Sequence, residues 1–204
     1  MSDVSNRYAL EGSRWPRRVL TYKVTKYPSR GNLTQEEVDG ETRAAMDIWE
    51  EVTKLKFEMS NSDKADIEIS FVQGYHGDEY PTDGPGRSLA HAYFPRHGGD
   101  VHMDDEEPWT INSPTGRNLR YILTHELGHS LGLKHTTVVG AVMFAYYLMF
   151  DPHQGAYFLF VFMEWSYHSD WNKMVLGQAD KQERKTYILQ DMPLQKQTFV
   201  PFPT

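Results

Sequence analysis

The sequence predicts a single domain of the α+β class, because segments with strand periodicity and segments with helical periodicity follow one another along the chain. The chain has 204 residues, which is enough for one well-packed domain and short for two. Its hydrophobic content of 39% is sufficient for a sizeable core. We therefore expect one folded domain built from both helices and strands.

Four segments carry the clearest periodicity. Residues 19–27, "VLTYKVTKY", alternate in the manner of a strand. From Gln35 to Thr53 the apolar spacing becomes helical, and Thr34 with Glu37 resembles a capping box at the start. Residues 65–72, "ADIEISFV", alternate again and predict a second strand. The second helix is predicted from Asn118 to Leu131, and its apolar stripe comprises Leu119, Ile122, Leu123, Leu127 and Leu131.

A long loop, "QGYHGDEYPTDGPGRS", separates the second strand from two short extended segments, "LAHAYF" and "DVHMD". Loops of this length inside a compact domain are uncommon unless they have a function. This loop contains both acidic side chains and a histidine. We therefore interpret it as a functional loop.

Composition excludes several functions. A net charge of -7 argues against nucleic acid as a partner, and the absence of cysteine excludes disulfides, thiol catalysis and thiolate metal ligands. The N-terminal segment "MSDVSNRYALEGSRW" is polar, so no signal peptide is expected in this chain. The longest apolar run, 156–163, is far shorter than the roughly 20 residues of a membrane span, so no transmembrane segment is predicted.

The segment "THELGHSLGLKH", residues 124–135, has the spacing of a metal site. His125 and His129 are four residues apart and share one helix face. His135 lies six residues further on, about 240° around the axis, and cannot join them on a continuous helix. Gly132 can end the helix in a left-handed conformation and bring His135 back as a third ligand.

Three histidines leave the fourth zinc position open to water, which is typical of a catalytic site. Glu126, next to the first ligand, is placed to take a proton from zinc-bound water and pass it to a leaving amine. The alternative is that these histidines are surface residues of an amphipathic helix. Gly128 is unfavourable within a helix, and we expect another backbone to approach it closely.

A second set of polar residues precedes this helix. His76, Asp78, His91 and His102 form a nitrogen and oxygen set suited to a closed tetrahedral zinc site. Hard oxygen donors suited to calcium are Asp83, Asp104 and Glu107, beside Gly84 and Gly86, and a second calcium could use Asp66 and Asp100 near Gly98. The alternative is that these loop acids are merely solvated.

Ordered motifs from Arg7 to about Tyr147 resemble the catalytic domain of a matrix metalloproteinase, a matrixin of the metzincin clan. They are "RYALEGSRWPRRVLTYKV", "YHGD", "TDGPG", "LAHAYFP", "DVHMDDEEPWT" and "THELGHSLGLKH", and "AVMFAYY" supplies a Met-turn at Met143. The resemblance implies a zincin-like fold: a five-stranded, mostly parallel twisted sheet with about three helices and a substrate cleft at the zinc helix.

The resemblance also implies a function and residue roles. Zn²⁺ would occupy a catalytic and a structural site, and Ca²⁺ would bind Asp83, Gly84, Gly86, Ser88, Asp104 and Glu107. Glu126 would be catalytic, and Tyr121 would limit the depth of a substrate pocket, the alternative being an ordinary core tyrosine. Substrates would be extended polypeptides, extracellular matrix proteins among them, that pair with an edge strand near residues 88–94. The implied localisation is extracellular.

The resemblance ends after Tyr147. Residues 1–147 are expected to form the catalytic domain, and residues 148–204 an atypical C-terminal tail in place of the usual specificity loop and closing helix. Within this tail, residues 171–182 could form a short helix. The alternative to an endopeptidase is a non-catalytic zinc- and calcium-binding module in which the altered tail leaves the cleft incomplete.

Overall fold

The computed structural model of this chain describes residues 9–147 and the backbone of residues 200 and 201. Two α-helices lie in this part of the chain, α1 (Gln35–Val52) and α2 (Leu119–Ser130), with a short 3₁₀ helix at Pro95–His97. The strands are β1 (Ala9–Leu10), β2 (Val19–Lys26), β3 (Lys56–Met59), β4 (Ile67–Val72), β5 (Ala90–Ala92), β6 (Val101–Asp104), β7 (Trp109–Thr110), β8 (Arg117–Asn118), β9 (Leu133–Lys134), β10 (Tyr146–Tyr147) and β11 (Val200–Pro201).

Five of these strands form the central sheet, in the order β3-β2-β4-β6-β5. The first four are mutually parallel, and β5 runs antiparallel to β6 at one edge. Helix α1 provides the crossover that parallel strands β2 and β3 require. The mostly parallel five-stranded sheet of the α+β class is thereby confirmed.

Helix α1 begins where the sequence predicted. The Thr34 hydroxyl accepts a hydrogen bond from the Glu37 N–H, and the Glu37 carboxylate accepts one from the Thr34 N–H, which completes the capping box. This reciprocal arrangement satisfies two of the N–H groups that a helix start leaves unpaired. The buried face of α1, which includes Val38, Ala45 and Trp49, packs against α2.

The hydrophobic core lies between one face of the sheet and the two helices. Alternate residues of β2 and β4 point into it, among them Leu20, Tyr22, Ile67 and Ile69. All five residues of the predicted apolar stripe of α2 are buried as well. Because α2 is covered on nearly every side, the polar side chains that it carries are held in a dry environment.

Two features differ from the sequence prediction. Strand β3 was not predicted, since "KFEM" is short and only Phe57 in it is buried. The described residues hold two α-helices rather than about three, and the candidate helix at 171–182 lies outside them. Within the described chain, no helix combines the length and the apolar character needed to cross a membrane.

Candidate active site

Helix α2 carries the first two predicted zinc ligands and is anchored at its start. The Asn118 side-chain oxygen accepts a hydrogen bond from the Tyr121 N–H at 2.9 Å and so caps the helix. The Asn118 N–H in turn donates to the Tyr147 hydroxyl at 3.0 Å. Within the first turn, Arg120 forms a bidentate ion pair with Glu41 of α1, with distances of 2.8 and 2.7 Å. These contacts hold the helix in one position relative to the rest of the fold.

The three histidines of the predicted catalytic site converge. The Nε2 atoms of His125 and His129 each lie 3.1 Å from the Nε2 atom of His135. The helix ends at Ser130, and Gly132 takes a φ of 98°, which turns the chain back toward the helix. The structure therefore brings His125, His129 and His135 together through the glycine break that the sequence indicated.

Backbone carbonyls determine the tautomer of two of these rings. The Nδ1 atom of His125 lies 2.6 Å from the carbonyl oxygen of Val142, and that of His129 lies 2.7 Å from the carbonyl oxygen of Leu133. Because a carbonyl only accepts hydrogen bonds, both Nδ1 atoms carry the proton. Their Nε2 lone pairs therefore face each other across the cluster, an arrangement that suits a bound cation.

Burial keeps the histidine cluster neutral. It lowers the pKa of His125 well below the ordinary value, that of His129 to about 4, and that of His135 to a smaller extent. Neutral imidazole is the form that binds metal. The site is therefore ready for a cation at neutral pH.

The buried carboxylate of Glu126 is the second feature of the site. Its exposed fraction is 1%, and neither of its oxygens has a hydrogen-bond partner within the described residues. Burial raises its pKa to about 8. A buried carboxyl without a partner is costly, and such groups are concentrated at functional sites.

Met143 and Gly128 lie against each other. A Cβ atom added to Gly128 would lie 2.2 Å from Met143 Sδ and 3.0 Å from Trp49 Cζ2. The close neighbours are thus side chains, and not another backbone as the sequence suggested. The Met143 carbonyl also accepts a hydrogen bond from the Thr136 N–H at 2.8 Å, so the turn at Met143 is tied to the segment that follows His135.

The predicted structural zinc ligands also form a tight cluster. Strand register places His91 directly opposite His102, and the loop after β4 adds His76 and Asp78. Asp78 Oδ2 lies 2.9 Å from His76 Nε2, 3.0 Å from His91 Nε2 and 2.8 Å from His102 Nδ1. A zinc tetrahedron with bonds of about 2.0–2.1 Å has edges of roughly 3.4 Å, so these four donors are close to the required spacing.

Tyr93 completes this second cluster and was missed by the sequence analysis. Burial alone would raise the pKa of Asp78, but hydrogen bonds from His91, the Tyr80 N–H and Tyr93 outweigh it and hold the pKa well below its usual range. Tyr93 follows His91 by two residues along an extended segment and therefore projects to the same side. That alternation is the signal by which it could have been found.

The predicted calcium residues are placed less closely together. Asp104 accepts hydrogen bonds from the N–H groups of Gly84 at 2.9 Å and Glu106 at 2.8 Å, and Glu107 accepts one from the Gly86 N–H. Burial raises the pKa of both acids. Among the described residues, two sets of three or more histidine and acidic ligand atoms lie within 4.8 Å of one another, and neither contains a predicted calcium ligand.

The residues predicted to bind a second calcium ion are Asp66, Gly98 and Asp100. Asp66 accepts from the Thr21 N–H at 2.8 Å and pairs with Arg17, whereas Asp100 accepts from the Glu68 N–H at 3.0 Å. Gly98 takes a φ of 107°, and Ser88 lies in the loop before β5.

Tyr121 is buried with its ring centroid 5.5 Å from that of Tyr147. His97 is exposed as expected, and the other two histidines expected at the surface, His153 and His168, lie outside the described residues.

Converging imidazole lone pairs beside a buried carboxylate are what a hydrolytic zinc centre requires. Together with the sheet and the buried helix, they are the features shared by the class of zinc-dependent peptidases. The sequence profile of the matrixin peptidases matches residues 14–156. The chain belongs to the matrixin family, and membership of this family implies zinc dependence.

Curated relatives agree with this assignment. The chain is 44% identical to stromelysin-3 of Homo sapiens over 148 residues, which is 72% of this chain and 30% of the relative. It is 44% identical to stromelysin-2 of Rattus norvegicus and 45% identical to stromelysin-1 of Mus musculus, in both cases over 71% of this chain and 30% of the relative. The chain thus spans about three-tenths of the length of these relatives.

The pH dependence of stability provides a test of the buried histidines. His129 is neutral in the fold down to a pKa of about 4, whereas its ordinary value is 6.5. Between these values the unfolded chain binds the extra proton, so folding stability is lost as the pH falls from 6.5 toward 4. In the presence of chelator, His129→Gln should remove about 2 kcal/mol of this acid sensitivity between pH 7.5 and 5.

Urea unfolding of both proteins at pH 7.5, 6 and 5 measures this difference. All other titrating groups are shared, so the change in the difference between the two proteins isolates His129. Parallel stability curves for the wild type and His129→Gln would contradict the prediction.

Proposed function

We propose that this chain is a zinc-dependent endopeptidase that cleaves extended polypeptides, with extracellular matrix proteins as the substrate class. The main support is the convergence of three neutral imidazoles near the end of α2, the helix that also carries Glu126, whose carboxyl has no hydrogen-bond partner among the described residues. The names of the stromelysin relatives support a role in matrix turnover. The proposed place of action is accordingly outside the cell.

The proposed ligands of the catalytic zinc are His125, His129 and His135. Bound zinc supplies Lewis acidity, which lowers the pKa of a coordinated water and stabilises negative charge on the scissile carbonyl oxygen. The carbonyls of Val142 and Leu133 hold two of the imidazoles in the tautomer that binds the cation. The protein thus provides an orienting frame for the metal as well as the ligands.

Glu126 is proposed to move the proton. Its carboxylate accepts a proton from the attacking water and then donates it to the leaving amine. Burial favours such a role, because a carboxyl whose pKa is raised to about 8 lies within about one unit of neutral pH and can both accept and donate a proton there. Exclusion of water from α2 also strengthens the electrostatic interactions within the site.

Substrate is proposed to bind along β5. Among the described residues this strand is the edge of the five-stranded sheet, with β6 as its one strand partner, and an edge strand can pair with an extended peptide through its outer N–H and C=O groups. Helix α2 packs against β5, so a peptide on this edge would run close to the zinc helix. Tyr121 is proposed to limit the depth of the adjoining pocket.

Three further assignments are proposed. A structural zinc is held by His76, Asp78, His91 and His102, and calcium by Asp83, Gly84, Gly86, Ser88, Asp104 and Glu107, with a second calcium at Asp66, Gly98 and Asp100. The calcium proposal is supported by buried acids at Asp104 and Glu107 beside a loop of positive-φ glycines. Residues 1–147 are proposed as the catalytic domain and residues 148–204 as the atypical tail.

Metal removal and replacement test the proposed activity. The purified chain should cleave an internally quenched peptide in the presence of zinc and calcium, lose at least 90% of that rate with a chelator, and regain it when zinc is added. His129→Ala should stay inactive after the same addition, because one of three ligands is missing. A wild type that binds zinc but cleaves no peptide would leave the non-catalytic metal-binding module as the better description.

Zinc stoichiometry tests the structural site separately. We expect two zinc ions per wild-type chain and one in His102→Ala, because removal of one donor from a closed four-ligand site sharply weakens it. His97→Ala is the matched control, since His97 is an exposed histidine outside both clusters. Elemental analysis after dialysis gives the count. One zinc ion in the wild type and an unchanged count in His102→Ala would contradict the structural site.

A further inference from the structure

We propose that residues 9–15, here called the strap, position the three-histidine site through the pairing of β1 with β9 and through the side chains of Trp15 and Glu11. The strap consists of β1 and the segment that follows it as far as Trp15. It lies about 120 residues before the histidines in the chain, and nothing in the local sequence pattern associates it with them. The inference rests on the proposed zinc site but not on peptide cleavage.

The strap pairs directly with the segment between the second and third histidines. Strand β1 runs antiparallel to β9, with Leu10 opposite Leu133, and the Glu11 N–H donates to the Gly132 carbonyl at 2.8 Å. Leu133 is also the residue whose carbonyl orients the His129 ring. The strap therefore pairs with the residue whose carbonyl orients the His129 ring and with the segment that leads to His135.

Trp15 fixes the strap to the end of α2. Its indole N–H donates to the Ser130 carbonyl at 2.8 Å, one residue after His129. The ring occupies space that only a glycine leaves open, since a Cβ atom at Gly99 would lie 2.7 Å from Trp15 Cζ2. The Ser130 carbonyl is at the helix end, where such groups otherwise lack a partner.

Glu11 fixes the strap at its other side. Its carboxylate forms an ion pair of 2.5 Å with Arg96 of the 3₁₀ helix and accepts a hydrogen bond from the Ser13 N–H at 2.9 Å. The Ser13 carbonyl then passes directly over the helix break, where a Cβ atom at Gly132 would lie 2.5 Å from it. The strap thus packs closely against the turn that returns His135 to the site.

These contacts give the strap a positioning role. Ligands held in the right geometry before the metal arrives bind it more tightly, and partners behind the ligands commonly change metal affinity. Loss of the Trp15 hydrogen bond should loosen the helix end and the β9 turn together. We therefore expect Trp15→Phe, which keeps an aromatic ring and removes the N–H, to weaken zinc binding at the three-histidine site by about three- to tenfold.

Zinc affinity of the full chain, measured by competition with a chelator, tests this inference. The binding step of the three-histidine site is identified as the one that His135→Ala removes. Glu11→Gln is the second strap variant, and we expect it to weaken the same step. The matched control is Trp109→Phe, which also removes an indole N–H to a backbone carbonyl, that of Asp104 at 2.8 Å, on strand β6 rather than on α2 or β9.

The expected result is weaker zinc binding in both strap variants and unchanged binding at this step in Trp109→Phe. Wild-type affinity in both strap variants would overturn the inference, and so would an equal loss in the control, since that would indicate general destabilisation. A wild type that cleaves no peptide, combined with strap-dependent zinc binding, would contradict the proposed function and leave this inference standing. A wild type that cleaves the peptide, combined with zinc binding that does not depend on the strap, would support the proposed function and overturn this inference.

Discussion

Glu126→Gln is expected to lower kcat/KM for peptide cleavage by about 10²- to 10⁴-fold, the usual contribution of general acid–base catalysis, and to leave both zinc ions bound. Glutamine has nearly the same shape as glutamate but cannot accept the proton of the attacking water. The substitution leaves all three histidines in place. It also removes the cost of a buried ionisable group whose oxygens have no hydrogen-bond partner among the described residues.

A peptide cleavage assay alongside elemental analysis separates the two effects. Glu58→Gln is the matched control, because Glu58 is an exposed residue of the edge strand β3, distant in sequence from every predicted ligand except Asp66. We expect its activity to equal that of the wild type. Retention of more than a tenth of the activity in Glu126→Gln would rule out Glu126 as the general base, and loss of zinc together with activity would assign it a role in holding the metal.

Gly128→Ala is expected to destabilise the folded protein by about 1–3 kcal/mol, the usual cost of overpacking a core. Alanine is the better helix former, so helix propensity alone predicts the opposite sign. Steric contact decides the result, because the new Cβ atom would lie 2.2 Å from Met143 Sδ and 3.0 Å from Trp49 Cζ2. Displacement of Met143 would also move the turn whose Val142 carbonyl orients His125.

Further variants separate the effect of steric contact at Gly128 from the effect of helix propensity. Gly40→Ala in α1 adds the same methyl group to a helix with no atom within 4 Å, and it should stabilise the protein by up to about 1 kcal/mol. Gly128→Ala should cost less in a Met143→Ala background than in the wild type, since truncation of Met143 makes room. Urea unfolding of the wild type, the three single variants and the double variant gives all five free energies. Equal effects of the two glycine substitutions would show that the contact at Gly128 has no consequence.

Much of the fold followed from periodicity in the sequence. The capping box at Thr34 and Glu37 and the apolar stripe of α2 are local patterns, and both are present in the structure. Strand β3 was missed because it is only four residues long, so the alternation of polar and apolar residues in "KFEM" is too short to distinguish a strand, and of its two apolar residues only Phe57 is buried. Its place beside β2 depends on the crossover through α1, which no local pattern records.

The candidate site, like the fold, was predictable from the sequence only in part. Helix geometry places His125 and His129 on one face, and a glycine at 132 allows the chain to return, so the grouping with His135 could be predicted from spacing. Grouping of His76, Asp78, His91 and His102 was also predicted, although only the register of β5 against β6 explains why His91 and His102 are opposite each other. Gly128 was recognised as unusual, but the side chains that require it lie elsewhere in the chain.

The sequence by itself determined which residues could be ligands and which carboxylate could act beside them, because helix periodicity and glycine conformation are local properties. The tertiary structure alone decided how those ligands are oriented. The tautomers of His125 and His129 depend on the backbone carbonyls of Val142 and Leu133. Every residue type has a backbone carbonyl, so the sequence does not indicate which one will accept a hydrogen bond from a histidine ring. The strap contacts of Trp15 and Glu11 join segments far apart in the chain, so only folding brings them to the site.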